Sequence, residues 1–367
     1  MYINQNKKSN HLYLMSLALM QAKMSLGNTK QNPSVGCVIT NKNNLISAGS
    51  TSFGGRPHAE KNAISLCKSN LRNSTIYVTL EPCSHYGKTP PCVNLIAKRN
   101  IKKVFFSIFD PDTRSYKKSK RKFYEKDIFV HNGILKKEIN FFYRSYYKYK
   151  KKGLPFVTAK MAISKDYYTV SRYKRWITNE YSRKRANLLR SYYDCLITSS
   201  RNIIKDNPRM DCRIPGLEKN SPSRIILDTS LKINPTSKIV AAANKYRTII
   251  FYNKIKKYKI AKLKKKKIEF YKIPINTEGK LDLKQVVLKA KKIGFSRIFI
   301  ESGITLTTSF LKQNLVDDFI LFVSNKNLGK NGYSNAKNLC KKFLRLNKGI
   351  IEKVNLFGEK IISYKIK

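Results

Sequence analysis

Apolar residues in the first part of the chain recur in two alternating patterns. Between Leu12 and Leu26 they lie three or four positions apart, which predicts a helix. Ser9 or Asn10 can cap the start of this helix, and Gly27 can end it. β-rich runs and helical patterns alternate after it, which predicts a sheet covered by helices. The predicted strands are 35–39 and 45–49, joined as a hairpin, 75–80 and 103–108, and the predicted helices are 58–68 and 92–99.

A basic and aromatic segment, YRSYYKYKKKG at 143–153, interrupts these patterns and predicts a linker or a linker helix. A second set of alternating elements follows, so we place a domain boundary near residue 150, between domains 1–150 and 151–367. The predicted strands are 156–163, 194–198, 224–227, 248–252 and 297–301, the predicted helices are 179–189, 283–292 and 306–312, and the tail segments 316–323 and 350–366 are predicted as antiparallel strands. Both domains are therefore expected to be α/β.

The chain is strongly basic, with 75 Lys and Arg against 22 Asp and Glu, a net charge of +53. Such a charge attracts polyanions, so nucleic-acid binding has to be considered. The lysines are spread along the whole chain rather than clustered on one element. We therefore interpret most of the charge as solvated surface and do not expect a nucleic-acid partner, whereas a small phosphorylated molecule would also be attracted.

Seven cysteines without a regular spacing indicate a reducing compartment, because an odd number in a chain of this length does not form a disulfide framework. The polar and basic start, residues 1–10, does not resemble a signal peptide. The chain also has no apolar run of membrane-spanning length. We expect a cytoplasmic protein with no membrane partner.

The segment from His58 to Cys92 carries the residues that a catalytic zinc requires. Such a zinc takes three protein ligands and an open position, beside a carboxylate that is not a ligand. His58 and Glu60 lie at a predicted helix start, and Cys83 and Cys92 each follow a proline at a predicted helix start, where a thiolate is stabilised. His-x-Glu followed by Pro-Cys and a third ligand is the pattern of zinc deaminases, which hydrolyse an amino group from a ring carbon. We predict Zn²⁺ ligands at His58, Cys83 and Cys92 and a catalytic proton carrier at Glu60.

Alternatives remain for this segment. Eight residues separate Cys83 and Cys92, whereas the common deaminase spacing is Cys-x-x-Cys, which disfavours a tRNA adenosine deaminase. The extra loop carries His85 and Lys88, which can supply hydrogen bonds and positive charge to a small phosphorylated ligand. The other alternative is a nucleic-acid-binding protein with a structural zinc. That site needs a fourth ligand, for which the candidates are His85, Cys37 and Cys67.

Nine short motifs resemble those of the bifunctional riboflavin-biosynthesis enzymes of the RibD (RibG) family. The motifs are NPSVGCVI (32–39), PHAE (57–60), TLEPCSHYGKTPPC (79–92), DPD (110–112), FVTAKMAISKD (156–166), WIT (176–178), LITSSRNIIKDNP (196–208), ILD (226–228) and IESGITL (300–306). The resemblance implies a cytidine-deaminase-like three-layer α/β/α domain followed by a dihydrofolate-reductase-like α/β domain. It also implies zinc-dependent deamination of 2,5-diamino-6-ribosylamino-4(3H)-pyrimidinone 5′-phosphate and NADPH-dependent reduction of the ribosyl chain to ribityl, in a homo-oligomer.

The resemblance also implies roles for individual residues. Those expected to contact the substrate are Asn32, His85 and Lys88 in the first domain and Lys160, Lys174, Arg190, Met210, Arg213 and Glu301 in the second. Those expected to contact NADPH are Ala162, Trp176, Asn202, Asp206, Thr229 and the turn that starts at Gly303. Arg190 and Arg213 are expected to bind phosphate as guanidinium forks.

Several positions depart from the family pattern. In the first domain Thr51 stands where a His is usual. In the second, the departures are Tyr167 and Arg172 for Gly, Lys174 for Ser, Asn202 for Thr and Ile304 for Pro. These departures leave open an active deaminase joined to a degenerate reductase domain.

Overall fold

The computed structural model describes residues 2–254, 257–344 and 349–367. It forms two compact units, Met1–Gly153 and Leu154–Lys367. Within the described part of the chain, none of the helices combines the length and the apolar character needed to cross a bilayer.

The first unit is built on a five-stranded sheet in the order β2-β1-β3-β4-β5. Its strands are β1 (Gly36–Asn41), β2 (Asn44–Ser50), β3 (Thr75–Leu80), β4 (Lys103–Ile108) and β5 (Phe129–Asn132). Its helices are α1 (Tyr2–Met24), α2 (Ala59–Leu66), α3 (Cys92–Lys98), α4 (Ser119–Tyr124) and α5 (Lys136–Tyr147). Strand β1 is antiparallel to β2 and β3, which confirms the predicted hairpin, and β3, β4 and β5 are parallel.

Two glycines place helices on the two faces of this sheet. A Cβ added to Gly36 would lie 1.8 Å from the carbonyl oxygen of Ala18 in α1, and one added to Gly49 would lie 2.5 Å from the backbone nitrogen of Ala63 in α2. Gly49 pairs with Cys37, the residue after Gly36, so the two missing Cβ atoms point to opposite faces. Helices α1 and α2 therefore lie on opposite faces, as a three-layer α/β/α arrangement requires.

The first helix is longer than predicted. It begins at Tyr2, so Ser9 and Asn10 lie in its interior and the predicted cap is wrong. Residues 2–8 contain neither Gly nor Pro, the residues that most strongly oppose a helix, and the helix continues through them.

The segment predicted as a linker or linker helix is helical and belongs largely to the first unit. Tyr143 in α5 is buried, and its hydroxyl donates to the carbonyl of Ser34 at 2.9 Å and lies 2.7 Å from Thr79 Oγ1. A π-helical turn over Lys148–Lys152 follows α5, and the chain leaves it at Gly153 with φ 61°. Tyr143 packs in the hydrophobic core of the first unit. The basic and aromatic composition of the segment does not indicate this role.

The second unit contains a nine-stranded sheet in the order β11-β10-β9-β8-β12-β6-β13-β16-β15 and a small pair, β14-β7. Its strands are β6 (Phe156–Ile163), β7 (Tyr168–Ser171), β8 (Cys195–Ser199), β9 (Ser223–Leu227), β10 (Thr248–Tyr252), β11 (Ile268–Lys272), β12 (Arg297–Glu301), β13 (Asp318–Val323), β14 (Gly332–Asn335), β15 (Ile350–Ile351) and β16 (Lys360–Lys365). Its helices are α6 (Glu180–Arg190), α7 (Ser200–Asp206), α8 (Lys238–Ala241), α9 (Lys257–Lys264), α10 (Leu283–Lys292), α11 (Ile304–Lys312) and α12 (Lys337–Leu339).

Both faces of the large sheet are covered. Along β9 and β10, Ile225 and Ile249 belong to one hydrophobic cluster, whereas Ile226 and Ile250 belong to another. The strands from β11 to β13 are parallel, and consecutive buried residues run along β8, β9, β10, β12 and β13, as expected when both faces are packed.

The prediction for the tail is correct only in part. Strands β13 and β16 are antiparallel, but β13 also runs parallel to β6, and residues 350–366 form two short strands rather than one. Since β6, β8, β9, β12 and β13 are mutually parallel, their carboxyl ends share one edge, where parallel sheets commonly bind ligands.

Candidate active sites

His58, Cys83 and Cys92 come together although they belong to three different segments. His58 is the residue before α2, Cys83 follows the end of β3, and Cys92 is the first residue of α3. The two sulfurs lie 3.6 and 3.4 Å from the same ring nitrogen, His58 Nδ1, and the three potential ligand atoms all lie within 4.8 Å of one another. The spacing fits a metal, because ligand atoms of a tetrahedral zinc with bonds of about 2.0–2.3 Å are about 3.6 Å apart.

The charges of the two thiols also suit a divalent cation. Hydrogen bonds from Cys92 and His58 lower the pKa of the Cys83 thiol to about 4, so that this sulfur is a thiolate at neutral pH. The same hydrogen bond with Cys83, together with burial, raises the pKa of Cys92. The two sulfurs therefore compete for a proton, and a bound cation relieves this competition by favouring both thiolates.

Glu60 lies in the first turn of α2, two residues after His58, and is only 4% exposed. Burial raises the pKa of its carboxyl above the usual value, although the charge of His58 opposes the shift. The Cys92 thiol lowers the pKa of Glu60 in turn, but less than burial raises it. A buried carboxyl with a raised pKa beside the triad is suited to accept a proton and release it again.

The loop between the two cysteines lies beside the triad. His85 Nδ1 is 2.8 Å from the hydroxyl of Ser115, a fully buried residue that no sequence motif singles out. Burial and the charge of Arg114 lower the pKa of His85, which favours the neutral ring with its one N–H donor. Lys88 is exposed on the same loop. Asn32 lies against Gly55, in the loop that leads to His58.

Thr51, which stands where the family has a His, is buried and points into the fold. Its hydroxyl accepts the N–H of Val35 at 2.9 Å and donates to the carbonyl of Pro33 at 3.3 Å. The side chain is therefore engaged by backbone groups and does not replace the usual His as a substrate contact.

The structure disfavours a structural zinc site. In the described ranges 2–254, 257–344 and 349–367, His58, Cys83 and Cys92 form the cluster that can hold a metal, and no fourth His, Cys, Asp or Glu belongs to it. His85 faces Ser115, and the Cys67 thiol donates to the carbonyl of Ser69. Three protein ligands correspond to a catalytic site rather than to a closed structural one.

In the second unit, three of the predicted site residues meet at the carboxyl edge of the large sheet. Glu301 ends β12 and pairs in register with Lys160 of β6, whose Nζ lies 3.4 Å from the Glu301 carboxylate. Arg190 of α6 donates to both carboxylate oxygens of Glu301, at 2.8 and 3.0 Å. Burial disfavours the ionised form, but the charges of Arg190 and Lys160 prevail and lower the pKa of Glu301 to about 2.

This pairing argues against Arg190 as a phosphate fork. Its Nε and one Nη bind Glu301, its other Nη donates to the carbonyl of Asp211 at 2.8 Å, and the residue is only 9% exposed. All three guanidinium nitrogens therefore donate to protein oxygens, and the main partner of Arg190 is Glu301. Arg213 is half-exposed and pairs with the Asp211 carboxylate at 2.9 Å, so it is better placed to reach a ligand.

Asp211 connects these residues and is absent from the sequence prediction. Its carboxylate is fully buried between Arg209 and Arg213, and its carbonyl accepts from Asn187 and Arg190. An acidic residue flanked by arginines at 209–213, in a chain with only 22 acidic residues, is the signal that could have identified it.

The remaining predicted residues lie at several places in the unit. Near the carboxyl edge, the side chain of Asn202 donates to Thr198 at 3.3 Å, Thr229 follows β9, and Gly303 precedes α11. The others are Ala162, half-buried in β6, Met210, buried, and Lys174 and Asp206, both exposed. Trp176 is 56% exposed, and the guanidinium groups of Arg175 and Arg183 lie 5.0 and 5.3 Å from its ring.

Tyr167 departs from the family pattern at a strained position. It lies in the turn between β6 and β7 with φ 72°, a backbone conformation that favours glycine. Its N–H donates to the carbonyl of Ser164 and its carbonyl accepts from Ala336, so the turn is maintained by backbone hydrogen bonds. The turn therefore has a backbone conformation typical of glycine, which Tyr167 adopts at a cost in free energy.

Comparison with known proteins gives the same division of the chain. Residues 8–108 match the cytidine and deoxycytidylate deaminase zinc-binding region, and residues 155–351 match the RibD C-terminal domain. The riboflavin biosynthesis protein RibD of Aquifex aeolicus is 32% identical over 318 residues, covering 86% of this chain and 87% of that protein. Its counterpart in Escherichia coli K12 is 28% identical over 341 residues, covering 89% and 90%.

Solved structures with the same overall fold come from the same group. Acinetobacter baumannii RibD, form 1, matches with a TM-score of 0.82 and 26% identity over 98% of this chain and 99% of that one. A Thermotoga maritima diaminohydroxyphosphoribosylaminopyrimidine deaminase/5-amino-6-(5-phosphoribosylamino)uracil reductase matches with a TM-score of 0.81 and 26% identity over 98% and 100%. The α/β fold class predicted for both domains is confirmed.

Proposed function

The chain belongs to the RibD family, and from that premise we propose that it acts on a phosphorylated diaminopyrimidine in two successive steps. It combines the zinc-binding deaminase domain and the NADPH-dependent reductase domain of that family. The first step hydrolyses the 2-amino group of 2,5-diamino-6-ribosylamino-4(3H)-pyrimidinone 5′-phosphate and releases ammonia. The second reduces the ribosyl chain of the resulting aminouracil to ribityl. We assign the first step to residues 1–150 and the second to 151–367.

In the deaminase domain, His58, Cys83 and Cys92 would hold the zinc ion. When bound, zinc supplies a Lewis acid that lowers the pKa of a coordinated water towards 7. Glu60 would take one proton from the attacking water and give it to the ring nitrogen, and would then take the second proton from the hydroxyl now bonded to the ring carbon and give it to the amine, which leaves as ammonia when its C–N bond breaks. Asn32, His85 and Lys88 are assigned to the substrate.

In the reductase domain, NADPH supplies the hydride, and we place its acceptor, C1′ of the opened ribose, at the carboxyl edge of the large sheet. We assign Lys160, Lys174, Met210, Arg213 and Glu301 to the substrate, with Arg190 holding Glu301. Ala162, Trp176, Asn202, Asp206, Thr229 and Gly303 are assigned to NADPH. We also propose that the protein is cytoplasmic and associates with further copies of itself.

The convergence of His58, Cys83 and Cys92 beside the buried Glu60 carries this proposal. The test is to supply the purified protein with the diaminopyrimidine phosphate and NADPH and to follow ammonia and NADPH oxidation separately. We expect ammonia first and NADPH oxidation only after it.

Two other results would revise the proposal. Ammonia without NADPH oxidation would indicate a degenerate reductase domain, for which the strained Tyr167 is the structural candidate. Ammonia from tRNA but not from the pyrimidine phosphate would indicate a tRNA adenosine deaminase.

A further inference from the structure

Arg56 lies beside the metal-binding triad, two residues before the ligand His58. It precedes Pro57 and His58, and its side chain is half-buried. Its Nη1 donates to the hydroxyl of Thr89 at 2.8 Å, so Arg56 contacts the loop between Cys83 and Cys92. This contact places a guanidinium where the loop approaches His58.

The contact with His58 does not satisfy the guanidinium. Arg56 Nη1 lies 3.5 Å from His58 Nε2, the ring nitrogen remote from the two sulfurs. When Nδ1 holds a metal, Nε2 carries the hydrogen of the neutral ring and cannot accept another. Thr89 is then the one acceptor for the five N–H donors of Arg56 among the described residues, and no carboxylate there pairs with it.

The unused side of the guanidinium faces the loop residues already assigned to the substrate. A Cβ placed on Gly87 would lie 3.7 Å from Arg56 Nη2 and 3.9 Å from His85 Nε2, so Gly87 lies between these two groups. Lys88, the next residue, is exposed on the same loop. A guanidinium without a carboxylate partner, next to an imidazole and an ammonium group, is suited to bind an anion with more than one oxygen.

We propose that Arg56 is a specificity-determining residue of the deaminase domain that binds the phosphate group of the substrate, with Thr89 orienting its guanidinium. The proposal rests on the deaminase activity assigned above, and adds to it the residue that distinguishes a pyrimidine phosphate from the corresponding phosphate-free pyrimidine riboside. Arg56 binds the remote end of the substrate, and Glu60 and the triad act on the ring.

The test compares ammonia release from the diaminopyrimidine phosphate and from its phosphate-free riboside in the full-length protein. Arg56→Gln should raise KM for the phosphate about 10- to 100-fold, the range expected for hydrogen bonds to a charged group, with kcat changed little. The kcat/KM for the riboside and the zinc content should not change. Arg72→Gln is the matched control, since Arg72 is exposed before β3, whereas Cys83 follows the opposite end of that strand.

Other results of the same experiment would contradict the inference. If Arg56→Gln weakens both substrates equally, then Arg56 only holds the loop and the inference is wrong. Loss of zinc in Arg56→Gln would also overturn it, because the residue would then act through the triad. Absence of ammonia from wild-type protein with either pyrimidine would reject the deaminase proposal and this inference with it.

Discussion

The two units present opposite arrangements of charge at their candidate sites. In the first, two thiols and an imidazole direct their donor atoms at one another beside a buried carboxyl, an arrangement that a cation completes. In the second, Glu301 is already neutralised by Arg190 and Lys160. The first site therefore needs a bound cation to balance its donor atoms, whereas the charges of the second site are balanced by ion pairs within the protein. Mutations should therefore affect chemistry most in the first unit and stability most in the second.

The largest effect is expected from Glu60→Gln, which removes the proton carrier and keeps its shape. Ammonia release should fall about 10²- to 10⁴-fold, the usual contribution of general acid–base catalysis. Zinc content, measured by metal analysis, should stay at the wild-type level because Glu60 is not among the ligand atoms. NADPH oxidation with the deaminated pyrimidine should also be unchanged.

Glu125→Gln is the control for this prediction. Glu125 is an exposed carboxylate of the same unit, paired with Arg121 four residues earlier, and its loss should leave ammonia release intact. Wild-type ammonia release from Glu60→Gln would contradict the assignment of Glu60.

Glu301→Gln should have the largest effect on stability. It leaves the positive charges of Arg190 and Lys160 largely buried without their carboxylate, which costs about 3–5 kcal/mol in comparable buried pairs. Urea unfolding of the second unit should reveal the loss, while ammonia release by the first unit should remain. Glu278→Gln breaks an exposed pair with Lys280 and should leave the unfolding curve close to that of the wild type. Equal effects of the two substitutions would show that Glu301 is not the centre of a buried network.

The contrast between the units also explains what the sequence could predict. His58, Cys83 and Cys92 are uncommon residues in a diagnostic order, which makes their convergence predictable. The helix start predicted at Cys83 is wrong, because Cys83 lies in the loop after β3, whereas His58 and Cys92 lie at helix starts. Arg190 is 111 residues from Glu301, and only the register of β12 against β6 brings Lys160 beside them. No local pattern indicates which carboxylate neutralises which arginine, so the sequence alone favours a phosphate as the partner of Arg190.

The sequence patterns do not predict some of the strands for a related reason. Strand β5 is only four residues long, and β7 pairs with the distant β14 rather than with the large sheet. Arg56 and Ser115 resemble any other polar loop residues until the fold places them beside the triad and His85. Long-range packing, rather than local preference, defines all of these features.

A smaller effect is expected at Asp110, a buried carboxyl of the first unit. Burial raises its pKa from 3.8 to about 6, although the N–H of Asp112 and the hydroxyl of Tyr146 donate to it. Because the pKa is higher in the folded state, the protonated carboxyl favours folding. The free energy of unfolding is therefore highest below pH 3.8, and this contribution is lost as the pH rises through about 6. Asp110→Asn retains an acceptor oxygen and cannot ionise, so at pH 8 it should be more stable than wild type by about 3 kcal/mol.

Urea unfolding of Asp110→Asn and wild type between pH 4 and pH 8 checks this prediction. The two curves should converge towards pH 4, where the wild-type carboxyl is also protonated. The neighbouring Asp112 does not interfere, because hydrogen bonds from Arg114 keep its pKa below the usual value. A constant difference at every pH would show that Asp110 does not titrate in this range.

The smallest effect is expected from Tyr167→Gly, which tests the reductase side of the comparison. A non-glycine residue with φ 72° carries backbone strain of about 1–2 kcal/mol, and part of the gain from its removal is lost to the greater freedom of glycine in the unfolded chain. We expect the second unit to become more stable by about 1 kcal/mol in urea unfolding. Tyr173→Gly is the control: Tyr173 is 81% exposed without a positive φ, so the same replacement there should not stabilise. If Tyr167 also limits the reductase, the KM for NADPH should fall in Tyr167→Gly, whereas greater stability without that change would assign the departure to folding alone.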